Sequence, residues 1–230
     1  MPINAYTGLM GSGKTYEVVC NVILPAVEQG RRIVTNIEGI KIDLIHEHLA
    51  RDRKDGKTAQ DFGALVHVSN DQVGSENFFF YGKTHNDHGE EVRTIVKPGD
   101  LVLIDEAWRF WGTATKIHPK HMIFFREHRH FVDERKNTCD LVVIVQDISD
   151  LHRQLKNVIE QTFRTTKLKS LGLNKSYRVD MFEAYKVRAK PLASSIKRYN
   201  KAFFPFYSSY SVKWTPKSRQ QFKLCASVKR

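Results

Sequence analysis

Residues 8–15 read Gly8-Leu9-Met10-Gly11-Ser12-Gly13-Lys14-Thr15 and match the pattern G-x-x-x-x-G-K-[ST] at every fixed position. In this pattern a strand turns sharply into a helix while backbone N–H groups point inward at phosphate oxygens, which requires glycine. The positive end of the helix dipole adds to the attraction for phosphate. We therefore predict that Gly8, Gly11, Ser12 and Gly13 form a loop that binds the phosphates of a nucleotide.

The last two residues of the motif carry the remaining contacts. Lys14 is expected to reach the β- and γ-phosphates, and the Thr15 hydroxyl to complete a Mg²⁺ shell. Residues 3–7 can form a short strand, and residues 16–24 carry apolar side chains at helical spacing, so both flanks suit the motif. The expected ligands are ATP and Mg²⁺.

A second stretch, Leu101-Val102-Leu103-Ile104-Asp105-Glu106, supplies the acidic groups. Four consecutive apolar residues are typical of a strand covered on both faces in a parallel sheet. Sheets of this kind bind ligands at the carboxyl ends of their strands. We predict that Asp105 holds Mg²⁺ through water, opposite Thr15, and that Glu106 is the general base for the attacking water. The alternative, a strand that ends in two surface acids, is disfavoured by the phosphate loop in the same chain.

The rest of the pattern predicts an α/β fold with a mostly parallel central sheet. A further apolar strand over 141–145 ends at Gln146, which is expected to bind the attacking water or the γ-phosphate. Other predicted elements are strands at 33–36, 64–69 and 78–81, a hairpin that joins 78–81 to 92–96, helices over 118–130 and 151–159, and an appended antiparallel hairpin of 162–169 and 177–185 around residues 172–174.

The charge of the chain is confined to one end. The 230 residues suit one α/β domain with additions, and the formal net charge is +12. Residues 1–185 hold 25 Lys and Arg against 25 Asp and Glu, whereas residues 186–230 hold 12 Lys and Arg and no acid. Such a block can be a solvated tail, a nucleic-acid arm or a segment that lies on anionic lipid. We divide the chain into a nucleotide-binding domain, 1–200, and a basic, aromatic-containing tail, 201–230.

Four stretches taken together resemble one family. They are the phosphate loop that begins at residue 8, Leu103-Ile104-Asp105-Glu106-Ala107, Glu127-His128-Arg129-His130, and Val143-Ile144-Val145-Gln146-Asp147. Over about residues 1–210 the chain resembles the zonula occludens toxin-like proteins and the related gene I assembly proteins of filamentous phages. The resemblance implies a RecA-like ATPase that powers phage assembly and export at the cytoplasmic face of the bacterial inner membrane.

This resemblance also implies partners, and the chain differs from the family at one point. A ring-shaped homo-oligomer and other phage assembly and export proteins are the expected partners, and Arg129 from a neighbouring subunit is the expected arginine finger, with Arg153 second. Family members carry a membrane helix after this domain, whereas no apolar run of the roughly 18 residues that a span needs occurs here. The basic tail nevertheless fits a cytoplasmic position next to a membrane.

Two other classes of function stay open at this point. A nucleoside kinase also begins with a phosphate loop, but a kinase must exclude water, which argues against a water-activating Glu106. A binding module could use the basic tail on DNA or lipid while the nucleotide site is vestigial. ATP consumption without an added acceptor distinguishes the first, and salt-sensitive binding that depends on residues 201–230 distinguishes the second.

Overall fold

The computed structural model describes residues 3–51, 61–85, 88–89, 91–168, 173 and 175–208, and its centre is an eight-stranded sheet. The strand order is β3-β2-β4-β5-β1-β6-β7-β8. The strands are β1 Ile3–Thr7, β2 Ile33–Thr35, β3 Leu65–His67, β4 Leu101–Ile104, β5 Asp140–Ile144, β6 Ile159–Lys167, β7 Ser176–Glu183 and β8 Ala193–Arg198.

Six neighbouring strands, from β3 to β6 in the sheet order, run parallel, and β7 and β8 extend the sheet by antiparallel pairing. All four residues of β4 and all five of β5 are buried, which explains why these strands are almost entirely apolar in sequence. Because β1, β4 and β5 are adjacent and parallel, their carboxyl ends lie together at one edge of the sheet.

Helices cover both faces of the sheet. The helix after β1 begins as α1 Lys14–Val18, continues as a π-helical turn Val19–Ile23 and ends as α2 Leu24–Glu28. The other helices are α3 Ile42–Arg51, α4 Asn70–Gly74, α5 Trp108–Trp111, α6 Pro119–Glu127 and α7 Arg153–Lys156, with 3-10 turns at His128–His130, Ile148–Asp150 and Lys201–Phe206. Two apolar clusters result, one beneath α1–α2 and one beneath α5 and α6.

The predicted strands at 78–81 and 92–96 are wrong. Isolated hydrogen bonds join these segments, such as Val96 N–H to the Phe78 carbonyl at 2.9 Å, but neither is a strand among the described residues. The reason is packing, since Phe78 and Phe79 are fully buried and Phe79 stacks on Phe124 of α6 with ring centroids 4.0 Å apart. The apolar run at residues 78–81 therefore fills the core with side chains without forming a strand.

Two further boundaries differ from the sequence prediction. The helix predicted over 151–159 is reduced to α7, because the chain enters β6 at Ile159. The helix predicted over 118–130 is α6 followed by a 3-10 turn. No helix in the described ranges is both long and apolar enough to span a membrane.

The appended hairpin is confirmed and carries an additional strand. β6 pairs with β7, and β7 pairs with β8, which the sequence analysis missed. Of the predicted turn, residues 172 and 174 lie outside the described residues, as do residues 209–230 of the predicted tail. Residues 201–206 form a 3-10 turn, and its Phe206 is 4% exposed and packs in the cluster beneath α1–α2. The domain boundary at residue 200 stays a prediction.

Candidate nucleotide site

The loop between β1 and α1 has the backbone that the motif requires. The φ angles of Gly8, Gly11 and Gly13 are 138°, 72° and 101°, values that residues with a side chain rarely adopt. Space is also restricted at the first glycine, where a Cβ would lie 2.5 Å from the Thr165 carbonyl oxygen. The loop therefore depends on glycine for both conformation and room.

Neighbouring strands fix this loop from two sides. The Gly8 N–H donates to the Gln146 carbonyl at 3.1 Å, which ties the loop to the end of β5. On the other side, the Thr165 hydroxyl of β6 donates to the Thr7 carbonyl at 3.2 Å and lies 2.7 Å from the Ser12 hydroxyl. Since the Thr165 proton is used on Thr7, Ser12 is the donor in the second contact. Ser12 thus acts inside the loop as an anchor.

The Lys14 side chain folds over the loop. Its Nζ donates to the Gly8 carbonyl at 2.6 Å and to the Leu9 carbonyl at 3.2 Å. Burial lowers the pKa of Lys14, and the carboxylates of Asp105 and Glu106 oppose that shift by attraction. The ammonium group therefore lies within electrostatic reach of both acids, in a cradle that suits an anion.

Asp105 follows β4 directly and is held by its backbone. The Asn36 side chain, just after β2, accepts from the Asp105 N–H at 2.7 Å and donates to the Asp105 carbonyl at 3.1 Å. Burial raises the pKa of the Asp105 carboxyl, and the charge of Glu106 adds to this, while a hydrogen bond from the Glu106 N–H, Lys14 and Arg109 act in the other direction. A carboxylate fixed in this way can hold a cation at the carboxyl edge of the sheet.

Glu106 is positioned by an unusual backbone and one hydrogen bond. Its φ of 49° places a residue other than glycine in the left-handed region, which stores local strain. Its Oε2 accepts from the indole Nε1–H of Trp108, the first residue of α5. Arg109 lies over the Trp108 ring, 5.8 Å from the centroid. The carboxylate of Glu106 is consequently held beside Asp105 rather than free in solvent.

Gln146 and Thr15 complete the edge. Gln146 is exposed at the end of β5, between β4 and β1, and Thr15 is half-buried in the first turn of α1. A threonine hydroxyl and the Asp105 carboxylate are oxygen donors of the type that Mg²⁺ prefers. The residues present therefore fit a Mg²⁺–nucleotide ligand.

The two predicted arginines lie elsewhere. Arg129 forms an ion pair with Glu160, the second residue of β6. Because Ile3 pairs with Ile159 at the start of β1, that ion pair lies at the amino edge of the sheet, opposite the phosphate loop. Arg153 is exposed at the start of α7. Neither is brought to the loop of its own chain by a described contact.

Three residues of the site were missed by the sequence analysis. Asn36 follows β2 as Asp105 follows β4, so the same rule about strand ends could have identified it. Trp108 and Thr165 gave no comparable signal in the sequence. Their hydrogen bonds to Glu106 and Ser12 depend on how the backbone folds, and no sequence spacing predicts them.

Comparisons with known proteins agree with this geometry. The family model described as Zonular occludens toxin (Zot) matches residues 3–213. The Gene 1 protein of Xanthomonas phage phiLf is 26% identical over 205 residues, which cover 89% of this chain and 43% of that protein. The chain therefore spans less than half the length of this curated relative.

A solved structure extends the likeness to three dimensions. The N-terminal domain of zonular occludens toxin from Neisseria meningitidis matches with a TM-score of 0.53 and 18% identity, covering 90% of this chain and 98% of that chain. The α/β fold predicted from the sequence, with a mostly parallel central sheet and an antiparallel extension, is confirmed.

Proposed function

The chain belongs to the Zot family, and we propose that it is an ATP-hydrolysing motor domain that works as a ring-shaped oligomer in the assembly and export of filamentous phage. One observation carries the enzymatic part of this proposal. The Lys14 cradle after β1 and the Asp105–Glu106 pair after β4 lie at the same edge of the sheet, on either side of β5, and the Glu106 carboxylate is held by Trp108. Phosphate binding and water activation are thereby combined in one site.

Each residue has a defined role in this proposal. The loop amides and Lys14 bind the phosphates of ATP, and Glu106 accepts the proton of the attacking water. Gln146 orients that water. Thr15 and Asp105 hold Mg²⁺, which when bound neutralises charge on the phosphates.

The transition state needs a further positive charge, which we assign to a neighbouring subunit. Arg129 lies at the amino edge of the sheet and so can serve only another copy's nucleotide, with Arg153 as the second candidate. An arginine finger contributes roughly 10³–10⁵ in rate. Turnover per subunit should therefore rise with protein concentration, and a fast rate that is independent of dilution would contradict the ring.

The setting of the motor is proposed from the family and from charge. The likeness to a phage Gene 1 protein and the resemblance to gene I assembly proteins support a role with phage assembly and export partners. The 12 Lys and Arg of residues 186–230, with no acid among them, are suited to the cytoplasmic face of the inner membrane. DNA is the other anionic partner that this segment could contact.

Two substitutions test the hydrolytic site. Lys14→Ala is expected to remove ATP binding, and Glu106→Gln to preserve binding while removing hydrolysis, both measured without any phosphate acceptor. Arg93→Gln is a matched control, because Arg93 is 87% exposed and its ion pair with Glu91 lies at the surface. Normal hydrolysis by Glu106→Gln would show that the general base is misassigned. ATP consumption only when an acceptor is added would indicate a kinase.

A further inference from the structure

A buried acid joins the helix after the phosphate loop to the antiparallel extension. Glu17 of α1 is 3% exposed, and its carboxylate accepts from the Tyr177 hydroxyl of β7 and from Lys197 Nζ of β8, both at 2.6 Å. In addition, the Asn200 N–H donates to the Tyr16 hydroxyl at 2.7 Å. The extension is thus fixed to the first turns of the helix that carries Lys14.

Tyr199 lies inside this junction. Its ring stacks on Tyr177 with centroids 4.7 Å apart and an interplanar angle of 29°, and meets Tyr16 edge-on at 4.9 Å. Its backbone N–H donates to the Lys175 carbonyl at 3.0 Å. Ring and backbone are therefore held on three sides, which leaves the hydroxyl a narrow range of positions.

The Tyr199 hydroxyl is directed at the phosphate loop. A Cβ built on Gly13 would lie 2.7 Å from this oxygen, so the hydroxyl is at contact distance from the last loop residue before Lys14. No hydrogen bond of this hydroxyl is found within the described ranges of the chain. Burial raises the pKa of Tyr199, so the phenol keeps its proton at neutral pH and remains a donor.

We propose that Tyr199 is a nucleotide-binding residue whose hydroxyl donates a hydrogen bond to a phosphate oxygen of the nucleotide in the loop. The amides at Gly13 and Lys14 mark where phosphate oxygens lie in loops of this kind, and a preorganised donor beside them loses little entropy on binding. The inference rests on the proposed function and adds to it a residue from the extension, far from the motif in sequence.

The test uses Tyr199→Phe, which removes the hydroxyl and retains the ring packing. Binding is measured with a fluorescent ATP analogue, and inorganic tripolyphosphate competes with it. A hydrogen bond to a charged group predicts a loss of about tenfold in affinity for both ligands, with the melting temperature of the free protein unchanged. Tyr185→Phe is the matched control, because Tyr185 follows β7 at the amino edge, where Glu183 pairs with Gln161.

The outcomes separate this inference from the function on which it rests. If the wild-type protein does not bind the analogue, the proposed function fails. If wild type binds and Tyr199→Phe binds equally well, Tyr199 does not contact the nucleotide, and a lower melting temperature of Tyr199→Leu would then show that the ring only packs. If Tyr199→Phe weakens the ATP analogue but not tripolyphosphate, the assignment to a phosphate oxygen is wrong.

Discussion

The hydroxyl of Thr165 should determine how firmly the phosphate loop is held. Thr165→Val keeps the shape of the side chain and removes the group that donates to the Thr7 carbonyl and accepts from Ser12. Ser12 is 6% exposed, so its hydroxyl cannot turn to solvent without moving the loop. An unsatisfied buried polar group costs roughly 1–3 kcal/mol, and we expect the free energy of unfolding to fall by about 2 kcal/mol.

A loss of this size is measurable by scanning calorimetry. For a domain of this length each kcal/mol lowers the melting temperature by about 2–4 °C, so Thr165→Val should melt roughly 4–8 °C below wild type. Thr166→Val is the matched control, because Thr166 is the next residue of β6 and faces the other side of the sheet. Equal melting temperatures for wild type and both variants would refute the anchoring role of the Thr165 hydroxyl.

Three other perturbations have defined outcomes. Asn36→Ala removes both hydrogen bonds that hold the Asp105 backbone, so ATP turnover should fall by about tenfold while ATP affinity changes by less than about twofold, as steady-state and binding assays would show. Gly8→Ala places a Cβ 2.5 Å from the Thr165 carbonyl and should abolish ATP binding in titration calorimetry, and wild-type affinity would contradict the described loop. Burial lowers the pKa of His128 in the folded protein, so the unfolded chain binds a proton at this imidazole more readily. The contribution of neutral His128 to the free energy of unfolding is therefore complete above about pH 6.5 and is lost as the pH falls from there towards the folded pKa. Between pH 7.5 and 5.5, the melting temperature of His128→Phe should therefore fall by less than that of wild type, as scanning calorimetry would show.

Much of the candidate site could be predicted from the sequence because its residues follow strand ends. A strand in the middle of a parallel sheet is mostly apolar, so the first polar residue after it, such as Asp105 or Gln146, indicates the edge where ligands bind. The loop itself is dictated by glycine conformation. These signals are local in sequence, so they can be recognised without a structure.

The elements that were missed or misplaced depend on long-range packing. β8 is mostly polar and exposed except at Lys197, with Ile196 65% exposed, so it has no apolar pattern. The Phe78–Phe79 pair has such a pattern, but its burial is against α6 and no strand forms. Tyr199 reaches Gly13 across a sequence separation of almost the whole domain. No spacing rule covers contacts of that kind.

The position of β1 in the sheet has a consequence for synthesis. This strand is synthesised before the other strands of the sheet, yet both of its partners, β5 and β6, are made only at Asp140–Ile144 and Ile159–Lys167. The first strand must therefore wait for most of the domain before it is paired, and folding through such distant contacts is slow. Every residue of the loop is present by Thr15, but the nucleotide that we propose it binds can stabilise only a nascent chain that has been extended beyond β6.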